Sequence, residues 1–185
     1  MMSAGSSIHA GDWPQILGPT RNGSAVHEKL IDKLPADGPP TLWQRPVGEG
    51  FAGIAVGEGV LVLFHRLKDQ EVVEAMVPTT GKILWASPSP TEYVSTISED
   101  NGPRCVPVIH NGRVYTFGAR GMLRCLDLKT GREIWKRDTH AEFGAPDGYF
   151  GAGSSPLVEG DKLLLNVGGK NGTGIVAFAL ATGKI

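Results

Sequence analysis

Along most of the chain, apolar residues fall in short runs cut by Gly, Asn, Asp and Pro. Arg113-Val114-Tyr115-Thr116-Phe117 alternates polar and apolar positions, the pattern of a half-buried strand. Before it, His110-Asn111-Gly112 has the Asn-Gly chemistry of a tight hairpin, and Cys105 to Ile109 reads as the preceding strand. After it, Gly118 to Gly121 turns, Met122 to Leu126 reads as a third strand, and Asp127 to Gly131 turns again into a fourth strand, Arg132 to Lys136. The same order recurs on either side. Upstream it is Ile54 to Val56, Val60 to Phe64, Val72 to Met76 and Thr80 to Trp85. Downstream it is Pro156 to Val158, Leu163 to Val167, Gly174 to Phe178 and Thr182 to Ile185.

One phrase marks the end of each unit. Thr80-Gly81-Lys82-Ile83-Leu84-Trp85 returns as Thr130-Gly131-Arg132-Glu133-Ile134-Trp135 and begins again at Thr182-Gly183-Lys184-Ile185. The glycines are 50 and 52 residues apart, a period of stacked or radial repeat folds. The next Trp of the series would fall past Ile185, so the third unit reads as cut short and the chain as part of a longer array. A four-stranded meander this small cannot bury both faces alone; packing face to face around an axis solves that. The expectation is therefore an all-β partial propeller of about three four-stranded antiparallel blades over residues 50–185, with helix scarce. Gly81, Gly131 and Gly183 are expected to supply positive-φ turns, and Trp85 and Trp135 to plug the space between neighbouring sheets, largely buried. Residues 1–49 form an N-terminal segment, and its Pro40-Thr41-Leu42-Trp43 offers a candidate ring-closing strand. Leu163, Leu165, Val176 and Phe178 are expected to face outward, where a further blade would cover them.

The blade phrase Ala75 to Trp85, with Cys125 to Trp135 as its second copy, resembles the repeat motif of quinoprotein-type (PQQ-like) propellers. Asp12-Trp13-Pro14-Gln15-Ile16-Leu17-Gly18-Pro19-Thr20-Arg21-Asn22-Gly23 resembles the opening of a bacterial subgroup of these proteins. The resemblance spans Asp12 to Ile185 and implies the fold. It does not imply the cofactor, since BamB-like members carry the same blades without a quinone. It implies a periplasmic or cell-envelope setting, whereas Met1 to Gly11 shows neither the basic nor the apolar region of a secretory signal. A quinone-dependent dehydrogenase of the family would need PQQ and calcium, a vicinal Cys pair, an aromatic floor and an Asp base. This sequence has no adjacent cysteines and no calcium loop of the Asp-x-Asp-x-Asp-Gly kind.

Composition narrows the classes. Apolar residues make up 41% and charged residues 20%, enough to build a core. A formal net charge of −1 gives no footprint for nucleic acid, and no stretch approaches the ~20 apolar residues of a spanning helix. Cys105 and Cys125 fall on the first and third strands of one unit, roughly 9–10 Å apart by strand spacing. A disulfide needs less than about 7 Å, so two buried thiols are expected. His9, His27, His65, His110 and His140 have no metal-ligand spacing. Gly151 to Pro156 lacks the strand-to-helix context of a nucleophile elbow, and Gly168 to Gly174 has the wrong order for a phosphate loop.

Two long connections carry the candidate chemistry. Ser87 to Arg104 holds Glu92, Tyr93 and Arg104; Asp138 to Gly153 holds Glu142, Phe143, Asp147 and Tyr149. Loops of this length are uncommon without a purpose, and equivalent loops share one face of a propeller. The leading expectation is a non-catalytic binding or scaffolding surface for a protein or small-molecule ligand. The alternative is part of a PQQ-dependent dehydrogenase whose site lies mostly in other blades. A carbohydrate- or peptide-binding module is a third reading.

Overall fold

The computed structural model describes residues 11–25 and 32–185. Three antiparallel sheets follow one another along the chain. The first contains β1 (Ala55–Gly57), β2 (Val60–Leu67), β3 (Gln70–Met76) and β4 (Ile83–Pro90), in that order. The second contains β5 (Val108–His110), β6 (Arg113–Phe117), β7 (Met122–Asp127) and β8 (Glu133–Asp138), and a one-turn helix α1 (Thr139–Phe143) follows it. The third has three strands, β9 (Leu157–Glu159), β10 (Lys162–Asn166) and β11 (Ile175–Ala179). These are partial propeller blades that do not close into a ring, the all-β architecture expected from the repeat.

Register fixes which residues share a face. Val62 pairs with Ala75 and Ala75 with Trp85; Tyr115 pairs with Cys125 and Cys125 with Trp135; Leu164 pairs with Ala177. Residues of one parity look back to the preceding blade. Val114 and Leu126 therefore join Val62, Phe64 and Val73 in the core between blades one and two. Residues of the other parity look forward. Tyr115, Phe117, Leu123 and Cys125 meet Leu163, Leu165, Val176 and Phe178 between blades two and three. This corrects the expected outward face. Leu163 and Phe178 are fully buried because their parity turns them to the blade before. The outward face instead carries Ile175, 74% exposed, with half-buried Leu164 and Ala177.

Three further differences have local causes. Pro40 to Trp43 forms no strand, so no ring-closing strand stands there among the described residues. β5 is shorter than expected: Pro107 has no N–H to pair, and Cys105 lies ahead of the strand. Thr182 to Ile185 forms no fourth strand, as expected of an incomplete third unit; the Ala179 N–H donates to the Lys184 carbonyl, the turn bond that Val77 and Lys82, and Asp127 and Arg132, make in the other blades. The helix α1 was not expected. Asp138 caps it by accepting from the Ala141 amide at 3.0 Å, and Gly144 ends it in the left-handed region. Both cysteines are free and buried, and burial pushes the thiols up, to about 12 for Cys105 and about 11 for Cys125.

Residues 12–21 lie across the innermost strands. Trp13 and Val56 form an antiparallel bridge, with N···O distances of 2.7 and 3.0 Å. The Ile109 amide donates to the Pro14 carbonyl at 2.8 Å, and Arg21 Nη2 donates to the Val158 carbonyl at 2.7 Å. One segment thus touches the first strand of all three blades.

Candidate functional site

The Trp-Gly repeat builds the frame of the site. The Trp85 indole lies over Gly131, and its Nε1 donates to the Leu128 carbonyl at 2.8 Å. Trp135 lies over Gly183 and donates to Leu180 at 3.0 Å; Trp43 lies over Gly81 and donates to Pro78 at 2.8 Å. Gly81, Gly131 and Gly183 have φ of +67°, +72° and +68°. Each Trp reaches forward to the turn of the following blade. All three indoles are partly buried, packed against the cores at the rim of the inter-blade seam. Trp43 does this work without belonging to a strand.

Antiparallel meanders send the connections from fourth to first strands, and from second to third strands, out at one end of the sheets. There the two long loops meet. Gly151 of the second lies against the Tyr93 ring of the first. The candidates divide by burial. Tyr93 is 2% exposed and packs against the Arg104 guanidinium, which lies 5.1 Å from its ring centroid and 5.3 Å from that of Phe51. Arg104 Nη2 also donates to the Asp100 carbonyl at 2.9 Å. Phe143 meets Phe178 edge-on at 6.2 Å. These three hold the loops in place. Glu92, Glu142, Asp147 and Tyr149 remain at the surface. Glu142 accepts from Arg137 Nε at 2.8 Å.

The centre of this face is a residue the sequence reading passed over. Arg120, in the turn between β6 and β7, lines a 260 Å³ cavity with Glu71, Glu92 and Asp138. It also lines an adjoining 360 Å³ cavity with Asp138, His140 and Asp147. Arg120 Nη1 is 3.9 Å from Glu92 Oε2, an exposed pair of little energetic weight. His140 Nδ1 lies 3.1 Å from Asp147 Oδ1. Beneath them, Glu71 is 4% exposed and accepts from the Ala119 amide at 2.7 Å. Burial raises its carboxyl above the usual range, against the pull of that amide and of Arg66, Arg124 and Arg104. Arg120 sits in a Gly-Ala-Arg-Gly turn whose sequence signals only a bend. Glu71 occupies a strand position where alternation gives no hint of chemistry.

The other notable groups are structural. Ser155 Oγ accepts from the Val106 amide, and Ser154 Oγ donates to the Asn166 carbonyl, which ties the Gly151–Pro156 loop down. In the Gly168–Gly174 loop, Lys170 N–H donates to the Phe143 carbonyl at 2.9 Å. His65 is buried with Nδ1 accepting from the Gly48 amide, and desolvation lowers it despite Glu74 at 3.6 Å. His110 pairs with Asn111 at a hairpin turn. His9 and His27 lie outside the described residues.

A quinone and calcium do not fit this set of donors. Each of the four indoles, Trp13 on Gly18 included, is laid over a glycine of the backbone. The two thiols are buried without a bond between them. Among the described residues no three His, Cys, Asp or Glu side chains converge to hold a metal, and no helix is long and apolar enough to cross a membrane.

Comparison with known proteins agrees with the fold. A family profile described as "Outer membrane protein assembly factor BamB" matches residues 68–185. The outer membrane protein assembly factor BamB of Moranella endobia is 35% identical over 71 residues, 38% of this chain and 18% of that one. The dehydrogenase subunit of the quinone alcohol dehydrogenase of Gluconacetobacter polyoxogenes is 32% identical over 134 residues, 66% of this chain and 18% of that one. The solved quinohemoprotein alcohol dehydrogenase from Comamonas testosteroni superposes with a TM-score of 0.60 at 20% identity, over 97% of this chain and 27% of that one. That likeness concerns the fold alone. The chain spans about a fifth of the length of these curated relatives. With two repeat phrases complete, a third begun, and the profile matched over most of its length, the chain belongs to the BamB family of PQQ-like propeller-repeat proteins.

Proposed function

We propose that this chain is a non-catalytic propeller module that offers a protein-binding surface in the bacterial cell envelope. The observation that carries this reading is Tyr149 and Phe150, consecutive and 76% and 64% exposed, in the loop whose Asp147 lines the Arg120 cavity. Adjacent exposed aromatics are enriched at interface centres, and charged groups around them suit the polar rim. Glu92, Asp138 and Asp147 around one exposed guanidinium favour a partner with basic side chains at its rim. The envelope setting is supported by the BamB relatives, whose name places them in outer membrane assembly.

A photo-crosslinking residue at position 149 in bacterial cells should give a discrete adduct, while the same residue at position 111, on the opposite end of the sheets, should give none. Equal labelling at both would reject the reading. The dehydrogenase relatives support a second reading, in which the full-length protein binds PQQ. Titration of the full-length protein with PQQ and calcium separates the two. Binding at 100 times Kd would add roughly 2.7 kcal/mol of stability, and the scaffold reading expects no thermal shift.

A further inference from the structure

The segment at residues 12–21 is held in an unusual way. Its contacts with the blades are backbone hydrogen bonds and one arginine: the Trp13–Val56 bridge, the Pro14 carbonyl with the Ile109 amide, and Arg21 with the Val158 carbonyl. Asp12 Oδ2 adds an acceptor for the Glu58 amide at 3.1 Å. None of its residues belongs to the hydrophobic clusters that join the blades. Ile16 and Leu17 are 48% and 53% exposed. A 450 Å³ cavity remains between the segment and the inner strands of blades two and three, lined by Gln15, Arg21, Ile109 and Glu159 among others. Trp13 and Pro14 meet the inner strands through their backbone and residues 15–21 follow as turns, without completing the cores of the blades.

We propose that the inner edges of β1, β5 and β9 form a docking groove for a Trp-Pro peptide whose following turns carry an arginine eight residues after the Trp, and that residues 12–21 fill this groove in cis. As in peptide docking on an exposed sheet edge, main-chain hydrogen bonds supply the contact, here three of them to Val56 and Ile109. Val56 and Ile109 present amides to the incoming carbonyls. The Val158 carbonyl, with the Glu159 carboxylate 3.6 Å from Arg21, receives the guanidinium. Because no core residue leaves with it, the segment can open as one local unit while the blades stay folded. A like segment from another chain then takes its place.

The test uses the full chain and a fluorescent peptide of residues 11–24. A Trp13→Ala/Arg21→Ala variant should bind the peptide at least about tenfold more tightly than the unaltered chain, whose own segment competes at millimolar effective concentration. Equal binding to both, or no binding to the folded variant, would overturn the proposal. So would a variant that fails to fold, since the blades are required to stand without the segment. Hydrogen exchange on the unaltered chain is the independent check. The Val56 and Ile109 amides should exchange through one shared opening, faster than the Val62 and Val114 amides. Exchange of all four only through global unfolding would overturn it.

Discussion

The Cβ that Gly131 lacks would lie 2.5 Å from Cε3 of Trp85, inside the indole it supports. Two demands thus meet at one position: a left-handed backbone at φ +72° and an empty side. Gly131→Ala should cost about 2–4 kcal/mol, combining the αL penalty with overpacking. Gly112 has nearly the same φ, +70°, with nothing near its missing Cβ. Gly112→Ala should cost only about 1–2 kcal/mol. Urea unfolding of both variants measures the difference, and equal costs would reduce the Trp-Gly contact to a conformational preference.

Trp135→Ala should destabilise by about 2–3 kcal/mol, below the range for a fully buried aromatic, because the indole is only partly buried. Trp135→Phe should cost about 1 kcal/mol, for the lost Nε1 bond to the Leu180 carbonyl. That carbonyl also accepts from Arg113 Nη1 at 2.7 Å, so it is not left bare. Chemical denaturation of the two variants side by side separates ring from hydrogen bond.

The repeat, its turns and nearly every strand were legible because hairpin chemistry and period-two alternation are local signals. The face of each strand was less so. Leu163 and Phe178 are as apolar as outward residues would be, and only the register decides which blade they meet. Among the site residues, Tyr93, Arg104 and Phe143 look like surface chemistry in sequence but pack inward through ring and guanidinium contacts formed with distant residues. Arg120 and Glu71 were missed because a turn and a strand bring them together only after folding.

Acidification acts through His65. Burial holds its imidazole below the ordinary 6.5, so the unfolded chain takes up a proton that the folded chain refuses. Stability should therefore fall as pH drops below about 6.5, with Glu74 softening and Arg45 reinforcing the effect. Glu71 works in the opposite sense: its raised carboxyl costs stability as pH rises through its folded value. Between pH 7.5 and 5.5 the loss of stability should be smaller in His65→Gln than in the unaltered chain, and as pH falls on toward 4.5 it should be larger in Glu71→Gln. Urea midpoints across that range give both slopes.

Thiol chemistry should be silent in the folded chain. Cys105 and Cys125 are buried and shifted to about 12 and about 11, so almost no thiolate exists at pH 8. A chromogenic disulfide reagent should react with both only after urea is added. Rapid native reaction of either would show that the seam between blades two and three opens readily.

The outward sheet face of blade three gives the last prediction. The exposed apolar face around Ile175, itself 74% exposed, should make the chain self-associate at micromolar concentration, and Ile175→Lys should lower that light scattering without lowering the melting temperature. The same change at Leu163, fully buried, should instead unfold the blade.

The forward reach of each indole also gives the molecule a direction in time. On the ribosome, Trp85 leaves the exit tunnel well before Gly131, and Trp135 before Gly183. Each nascent blade therefore waits with its ring bare until the turn that shelters it has been translated. A pause between those two events would expose one indole at a time, so the pace of translation, as well as the finished chain, governs how much apolar surface a growing array shows to its surroundings.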